Sequence, residues 1–247
     1  MSIDDITPLG SRTYLVTGVR SGLGKYLYER LPGPLGVDRN NKEKMLAKAA
    51  QSDGLIILHA AFNSKRDVDD YSSYAEDNLF LTEELLSIPH AKFVYFSSVD
   101  VYGPFNPYSF MKKCAEDLVR KKSKNALILR LPAILGPTIR KNSLVKLLEG
   151  EELTLAGESV FNYVLQSDIL EGITDSATME KTGVYNFVSS ENVSLAELGS
   201  YYRRGTQFGD YKYQTSLENS REILNLYPYP SRSSLDVVRL FLKEYYE

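Results

Sequence analysis

The sequence holds a single cysteine, Cys114, so no internal disulfide can form and there is too little thiol for a metal cluster. Histidine is nearly as scarce. His59 and His90 stand well apart with no cysteine pair nearby, which argues against a zinc site. There is no excess of one charge either: 29 Lys and Arg oppose 32 Asp and Glu, a net charge of −3. That balance gives no electrostatic footprint for nucleic acid. The 18 tyrosines could stack bases, but they are scattered along an acidic chain. No apolar run approaches the ~18 residues of a membrane span. The N-terminal Met1-Ser2-Ile3-Asp4-Asp5 is acidic where a secretory leader is basic and then apolar. The expectation is a cytoplasmic protein with no bound metal and neither nucleic acid nor membrane as a partner.

What is present is alternation. The apolar run 14–17 ends in a glycine cluster, a helical stretch spans 22–31, and Pro32-Gly33-Pro34 stops it. Residues 35–38 read as a second strand, 42–51 as a polar helix and 55–60 as a third strand. Helix 74–86, strand 93–96, helix 107–121 and strand 126–131 continue the pattern. Continuous apolar strands suit a sheet buried on both faces, and four rounds of alternation predict a doubly wound parallel α/β sheet. After Pro137 the pattern loosens into shorter pieces at 143–148, 168–177, 184–188, 194–202 and 233–245. Residues 1–137 are therefore read as the α/β core. Residues 138–247 are mostly a small substrate lobe, with some segments returning to the core.

Gly18, Gly22 and Gly24 sit between the first strand and first helix, where glycines allow a tight turn and close approach to a pyrophosphate. Asp38 lies 20 residues beyond Gly18, at the end of the second strand, where an acid accepts from ribose hydroxyls and favours NAD over NADP. A helix cap or solvated acid would look the same, and Arg39 beside it could pair with a 2′-phosphate. Tyr108 and Lys112 are four apart at a helix start, on one face. Ser98 follows an apolar strand at the carboxyl end of the sheet. These three suit hydride transfer: a tyrosine whose pKa of about 10 falls beside an ammonium, and a serine that bonds the substrate oxygen as it changes charge. Asp100 is either an acid/base or a cap for the turn before Tyr102. His59 reads as a satisfied core histidine.

Phe93-Val94-Tyr95-Phe96-Ser97-Ser98-Val99-Asp100-Val101-Tyr102-Gly103, Pro107-Tyr108-Ser109-Phe110-Met111-Lys112 with Glu116, and Leu129-Arg130-Leu131-Pro132 with Gly136-Pro137 carry a specific resemblance. The chain resembles short-chain dehydrogenase/reductases of the extended, nucleotide-sugar epimerase/dehydratase type, in a trimmed form. Gly183-Val184-Tyr185-Asn186 and the stretch 215–224 look like that branch's late strand and late helix. The resemblance implies a Rossmann fold, NAD or NADP, a homodimer packed through helices 74–86 and 107–121, and a nucleotide-linked sugar as substrate. It makes Ser98, Tyr108, Lys112 and Asp100 catalytic. It assigns Gly18, Arg20, Ser21, Gly22, Leu23, Gly24, Asp38, Arg39, Ala60, Ala61, Asn78, Ser97, Leu131 and Pro132 to the cofactor, together with Tyr108 and Lys112.

Four departures accompany it. The glycine spacing is that of the single-domain branch. Only a helix fits between Asp38 and Asp53, not the usual additional strand. Ten residues separate Ser98 from Tyr108, and Phe161-Asn162 stand where a sugar-phosphate-binding arginine is expected. A keto-sugar reductase and an epimerase both fit this reading. The rival from another class is a dinucleotide-binding regulatory protein without turnover.

Overall fold

The computed structural model describes residues 12–65, 68–203, 205–215, 217 and 232–245. Its main sheet has six parallel strands in the order β2-β1-β3-β4-β5-β9. These are β1 (Tyr14–Thr17), β2 (Leu35–Val37), β3 (Ile56–His59), β4 (Lys92–Ser98), β5 (Ala126–Leu131) and β9 (Gly183–Asn186). Between them run α1 (Gly22–Arg30), α2 (Lys42–Ala49), α3 (Tyr71–Ala75), a π turn (Glu76–Phe80), α4 (Leu81–Leu86) and α5 (Pro107–Lys122).

The strands show why the sheet is covered on both sides. Tyr14, Val16, Ile56, Leu58, Val94, Phe96, Leu127 and Leu129 pack into one core with Leu23 and Leu27 of α1. The alternate residues Leu15, Ile57, Phe93, Tyr95 and Ile128 enter the opposite core with Leu46, Leu85, Ala115 and Val119 of α2, α4 and α5. A side-chain period of two, apolar on both faces, requires helices above and below.

The remaining elements are β6 (Ala133–Leu135), α6 (Ser143–Leu148), β7 (Val160–Phe161), β8 (Tyr163–Leu165), α7 (Gln166–Thr174), α8 (Ser176–Glu180), β10 (Val193–Ser194), α9 (Leu195–Tyr201) and α10 (Ser234–Tyr245). β6 pairs with β8 and β7 with β10 in two small sheets. A third core forms here around Leu144, Leu147, Tyr163, Leu198 and Phe241. Part of the late chain returns: β9 joins the main sheet beside β5, and Ile169 and Ile173 of α7 pack with the α1 core.

Several boundaries differ from the sequence reading. The helix expected at 74–86 begins at Tyr71, because the Asp70 carboxylate accepts from the N–H groups of Ser72 and Ser73. The stretch 168–177 is two helices, α7 and α8, parted by the extended Asp175, which caps the second through the Thr178 N–H. Strand β4 runs on to Ser98, so this serine ends the strand instead of following it. Of the late helix expected at 215–224, only Thr215 and Leu217 lie within the described residues, and the Thr215 N–H bonds to the Val160 carbonyl.

Candidate active site

The chain moves from β1 outward to β2 and then crosses back to β3, so the strand order reverses between β1 and β3. Ligands of such sheets bind outside the carboxyl ends of the strands at that reversal. The glycine turn follows β1, and Ala60-Ala61 follow β3. Gly18 has φ +74°, and a Cβ there would sit 3.0 Å from the Ala61 nitrogen. A Cβ on Gly24 would collide with the Thr17 carbonyl oxygen, so α1 packs against β1 only with glycine there. Gly22 has φ +61°, and a Cβ there would meet nothing within 4 Å. Its glycine answers to backbone conformation alone.

The arrangement suits a pyrophosphate. Leu23 and Gly24 precede the first intrahelical bond of α1, from the Lys25 N–H to Ser21 O, so their N–H groups have no partner within the helix. The Gly22 N–H is used differently: it donates to the Thr138 carbonyl at 2.9 Å, while Thr138 Oγ1 donates to the Gly22 carbonyl at 2.7 Å. Arg140 donates to Ser21 Oγ at 3.1 Å. The loop that opens the second half of the chain is thus pinned across the glycine turn.

A buried relay joins the strand ends. Thr17 Oγ1 accepts from the N–H groups of Ala60 and Ala61, at 3.1 and 2.9 Å, so its own proton goes to His59 Nδ1 at 2.9 Å. His59 Nε2 then donates to Thr82 Oγ1, also 2.9 Å, and Thr82 donates to the Asn78 carbonyl. His59 is fully buried, and burial pushes its pKa down to about 3. It is the satisfied core histidine the sequence suggests. Asn78 is fully buried as well: its Oδ1 accepts from the Asn63 N–H at 2.7 Å and its Nδ2 donates to the Asn63 carbonyl. It holds the 60–65 loop.

The charged candidates at the end of β2 are paired with each other or nearby. Arg20 Nε donates to Asp38 at 2.9 Å, and Arg39 pairs with Asp77 at 2.9 Å. The Asn40 N–H, and then Arg20, hold the Asp38 carboxyl below its usual range.

The catalytic candidates converge at the end of β4. Asn106 and Ser109 form a reciprocal capping box with Pro107 in the first turn, which fixes where α5 begins and so where Tyr108 stands. Ser98, Asp100 and Tyr108 line one cavity of about 650 Å³, with Pro132 on its wall. Ser98 Oγ accepts from the Asp100 N–H at 3.1 Å, so Ser98 caps the turn. The Asp100 carboxylate instead accepts from the Tyr213 hydroxyl at 2.6 Å.

Lys112 is buried, and its Nζ donates to the Phe96 carbonyl at 2.7 Å. The ammonium lies 3.9 Å from the Phe62 ring centroid and 5.9 Å from that of Tyr108. Burial lowers its pKa to about 7, with Glu116 pulling the other way. Ser97 Oγ donates to Glu116 at 2.5 Å, and Arg130 clamps the same carboxylate through Nε and Nη2 at 2.9 and 2.6 Å. Leu131, next along β5, belongs to the core on the α1 side. Phe62 and Tyr213 were missed from the sequence. Neither belongs to a motif, although Phe62 directly follows the Ala60-Ala61 pair.

Among the described residues no group of three or more His, Cys, Asp or Glu could hold a metal, and no helix is long and apolar enough to cross a membrane.

No family model matches the chain, and no curated protein matches it. Solved structures do. MoeE5 in complex with UDP-glucose and NAD superposes with a TM-score of 0.71 at 17% identity, covering 94% of this chain and 99% of the other. The dTDP-4-dehydrorhamnose reductase of Bacillus anthracis, in complex with NADP, gives 0.72 at 17%, covering 95% and 99%. UDP-glucose 4-epimerase of Thermotoga maritima, with UDP-glucose, gives 0.67 at 18%, covering 95% and 100%. The chain shares with these proteins a Rossmann-like α/β fold along nearly its whole length.

Proposed function

We propose that this chain is an NAD(P)-dependent oxidoreductase or epimerase of the extended short-chain dehydrogenase/reductase type, acting at a carbinol or keto carbon of a sugar. One observation carries the reading: Ser98 and Tyr108 line a single cavity at the carboxyl end of β4, with the Lys112 ammonium buried beside them. The neighbours named for UDP-glucose and dTDP-4-dehydrorhamnose support a sugar substrate, nucleotide-linked in those proteins.

A nicotinamide cofactor, when bound, supplies or accepts the hydride. The glycine turn and the N–H groups of Leu23 and Gly24 would hold its pyrophosphate. Asp38, Arg20 and Arg39 would take its adenosine end. In the reducing direction the Tyr108 hydroxyl gives a proton to the substrate oxygen as the carbon gains hydride, and Ser98 hydrogen-bonds that oxygen. The Lys112 ammonium lowers the cost of the tyrosinate left behind. Burial behind Phe62 strengthens that effect, because the charge acts in a low dielectric. Oxidation runs the same steps backwards.

Tyr108→Phe tests this. Steady-state turnover should fall by about 10²–10⁴, the usual loss for a general acid/base, while cofactor affinity stays near normal. Near-normal turnover sinks the assignment. Whether NAD copurifies separates the two activities: an epimerase returns the hydride and keeps its cofactor, whereas a reductase exchanges it.

A further inference from the structure

A strap from the second half of the chain runs against the first turn of α1. Thr138 and Gly22 bond both ways, N–H to carbonyl at 2.9 Å and hydroxyl to carbonyl at 2.7 Å. The buried Gln166, first residue of α7, anchors the strap by donating from Nε2 to Thr138 Oγ1 at 2.8 Å. Gly136 makes room for it, since a Cβ there would collide with the Gln166 side chain. Two residues beyond Thr138, Arg140 donates to Ser21 Oγ at 3.1 Å. Ser21 is the N-cap of α1, with extended backbone, yet its side chain caps no N–H of the helix. A serine in that place ordinarily accepts from the second or third helical N–H. Here those are the N–H groups of Leu23 and Gly24, the same two that suit a pyrophosphate.

Resting on the nicotinamide-cofactor reading, we propose that Arg140 binds the cofactor diphosphate, as a cation brought to the glycine turn by the strap. The guanidinium is already docked at the N-cap of α1, where the helix presents a positive partial charge. A hydroxyl that accepts from a guanidinium keeps its own proton to donate, so Ser21 becomes a donor toward an anion instead of an acceptor for its own helix. Arginine has five N–H donors in a planar fork, and the bond to Ser21 takes one from Nη2. Such a fork matches a phosphate. The turn's own cation, Arg20, is paired with Asp38 at 2.9 Å, and Lys141 beside Arg140 pairs with Glu149 and Glu151. The cofactor would thus be held by both halves of the chain, through backbone N–H groups of the first and a charged side chain of the second. Glycine spacing cannot signal this ligand, which stands 119 positions from Ser21.

The test is equilibrium binding to the full chain at low salt, about 0.05 M, where charge is least screened. NADH and NADPH are titrated by their fluorescence. ADP-ribose, which keeps the diphosphate without the nicotinamide, is titrated by calorimetry. Arg140→Gln keeps a donor for Ser21 and removes the charge. It should weaken the preferred cofactor and ADP-ribose alike, each by about tenfold or more. Arg140→Lys should recover part of that loss, because an ammonium restores the charge without the fork. Lys141→Gln removes the neighbouring charge and should stay within about twofold of wild type. Both residues are exposed, so folding is not at stake. Binding by Arg140→Gln within about twofold of wild type, for either the cofactor or ADP-ribose, overturns the proposal. An equal loss in Lys141→Gln does the same, because the effect would then be one of overall charge. Those outcomes leave the hydride-transfer reading standing. Failure of the wild type to bind either cofactor removes that reading, and this proposal with it.

Discussion

Phe62→Leu removes an aromatic face from a buried ammonium while keeping an apolar side chain over it. In the protein the Lys112 Nζ sits 3.9 Å above the Phe62 centroid and donates to the Phe96 carbonyl, and burial has already lowered its pKa to about 7. A desolvated cation–π contact contributes roughly 2 kcal/mol. At 1.36 kcal/mol per unit, losing it lowers the pKa by a further ~1.5 units. At pH 7 the protonated fraction would then drop from about one half to about one in thirty. The direction follows from which form the ring stabilises: only the ammonium gains from the π face, so its loss favours the neutral amine. The measurement is an NMR titration of the lysine Cε signals in the cofactor-free protein, with Lys112 assigned by comparison with Lys112→Met. A pKa that stays within a few tenths of the wild-type value, or rises, refutes the argument that Phe62 holds this charge.

The buried His59 makes the fold acid-sensitive. Its folded pKa of about 3 lies below the free value of 6.5, so it costs nothing above pH 6.5, and stability falls as pH drops toward 3. At pH 5 the loss is about 2 kcal/mol, and urea unfolding of His59→Gln should show a flatter profile between about pH 6.5 and 5. The chain should form a homodimer through the 74–86 stretch and α5, where Phe80 of the π turn and Phe110 of α5 are 58% and 47% exposed; a monomeric mass by light scattering at micromolar concentration rejects this. NADH and NADPH should bind within about tenfold of each other by fluorescence titration, because Arg20 offsets the Asp38 charge at 2.9 Å and solvent screens what remains of it. A preference above about a hundredfold for either refutes it.

The core of the fold was legible because its signals are local. Apolar runs such as Ala126-Leu127-Ile128-Leu129 need no distant partner to be read as strands buried on both faces, and Pro32-Gly33-Pro34 ends a helix whatever surrounds it. The early start of α3 is a local signal too, since Asp70 before Tyr71-Ser72-Ser73 has the residue type and position of an N-cap. The break at Asp175 was harder. An aspartate inside an apolar-periodic stretch is tolerated in many helices, and only the chain's need to turn from α7 into α8 and then β9 makes it a boundary here.

The site divides along the same line. Ser98 at a strand end, and Tyr108 and Lys112 one helical turn apart behind an Asn-Pro start, are positioned by segments a few residues long, so their grouping can be read from spacing. The wall that faces them cannot. Tyr213 reaches Asp100 across 113 positions of sequence. It does so because Val160 N–H bonds the Tyr213 carbonyl, and the 211–215 segment then runs beside β7, which carries Phe161. Shifting that pairing by one residue would turn Tyr213 away from both Phe161 and Asp100. Such registers depend on packing in the third core, whose composition any apolar lobe could share. The residues proposed for hydride transfer thus sit on short, self-sufficient motifs, while the wall that faces them sits on a register fixed only by tertiary contact.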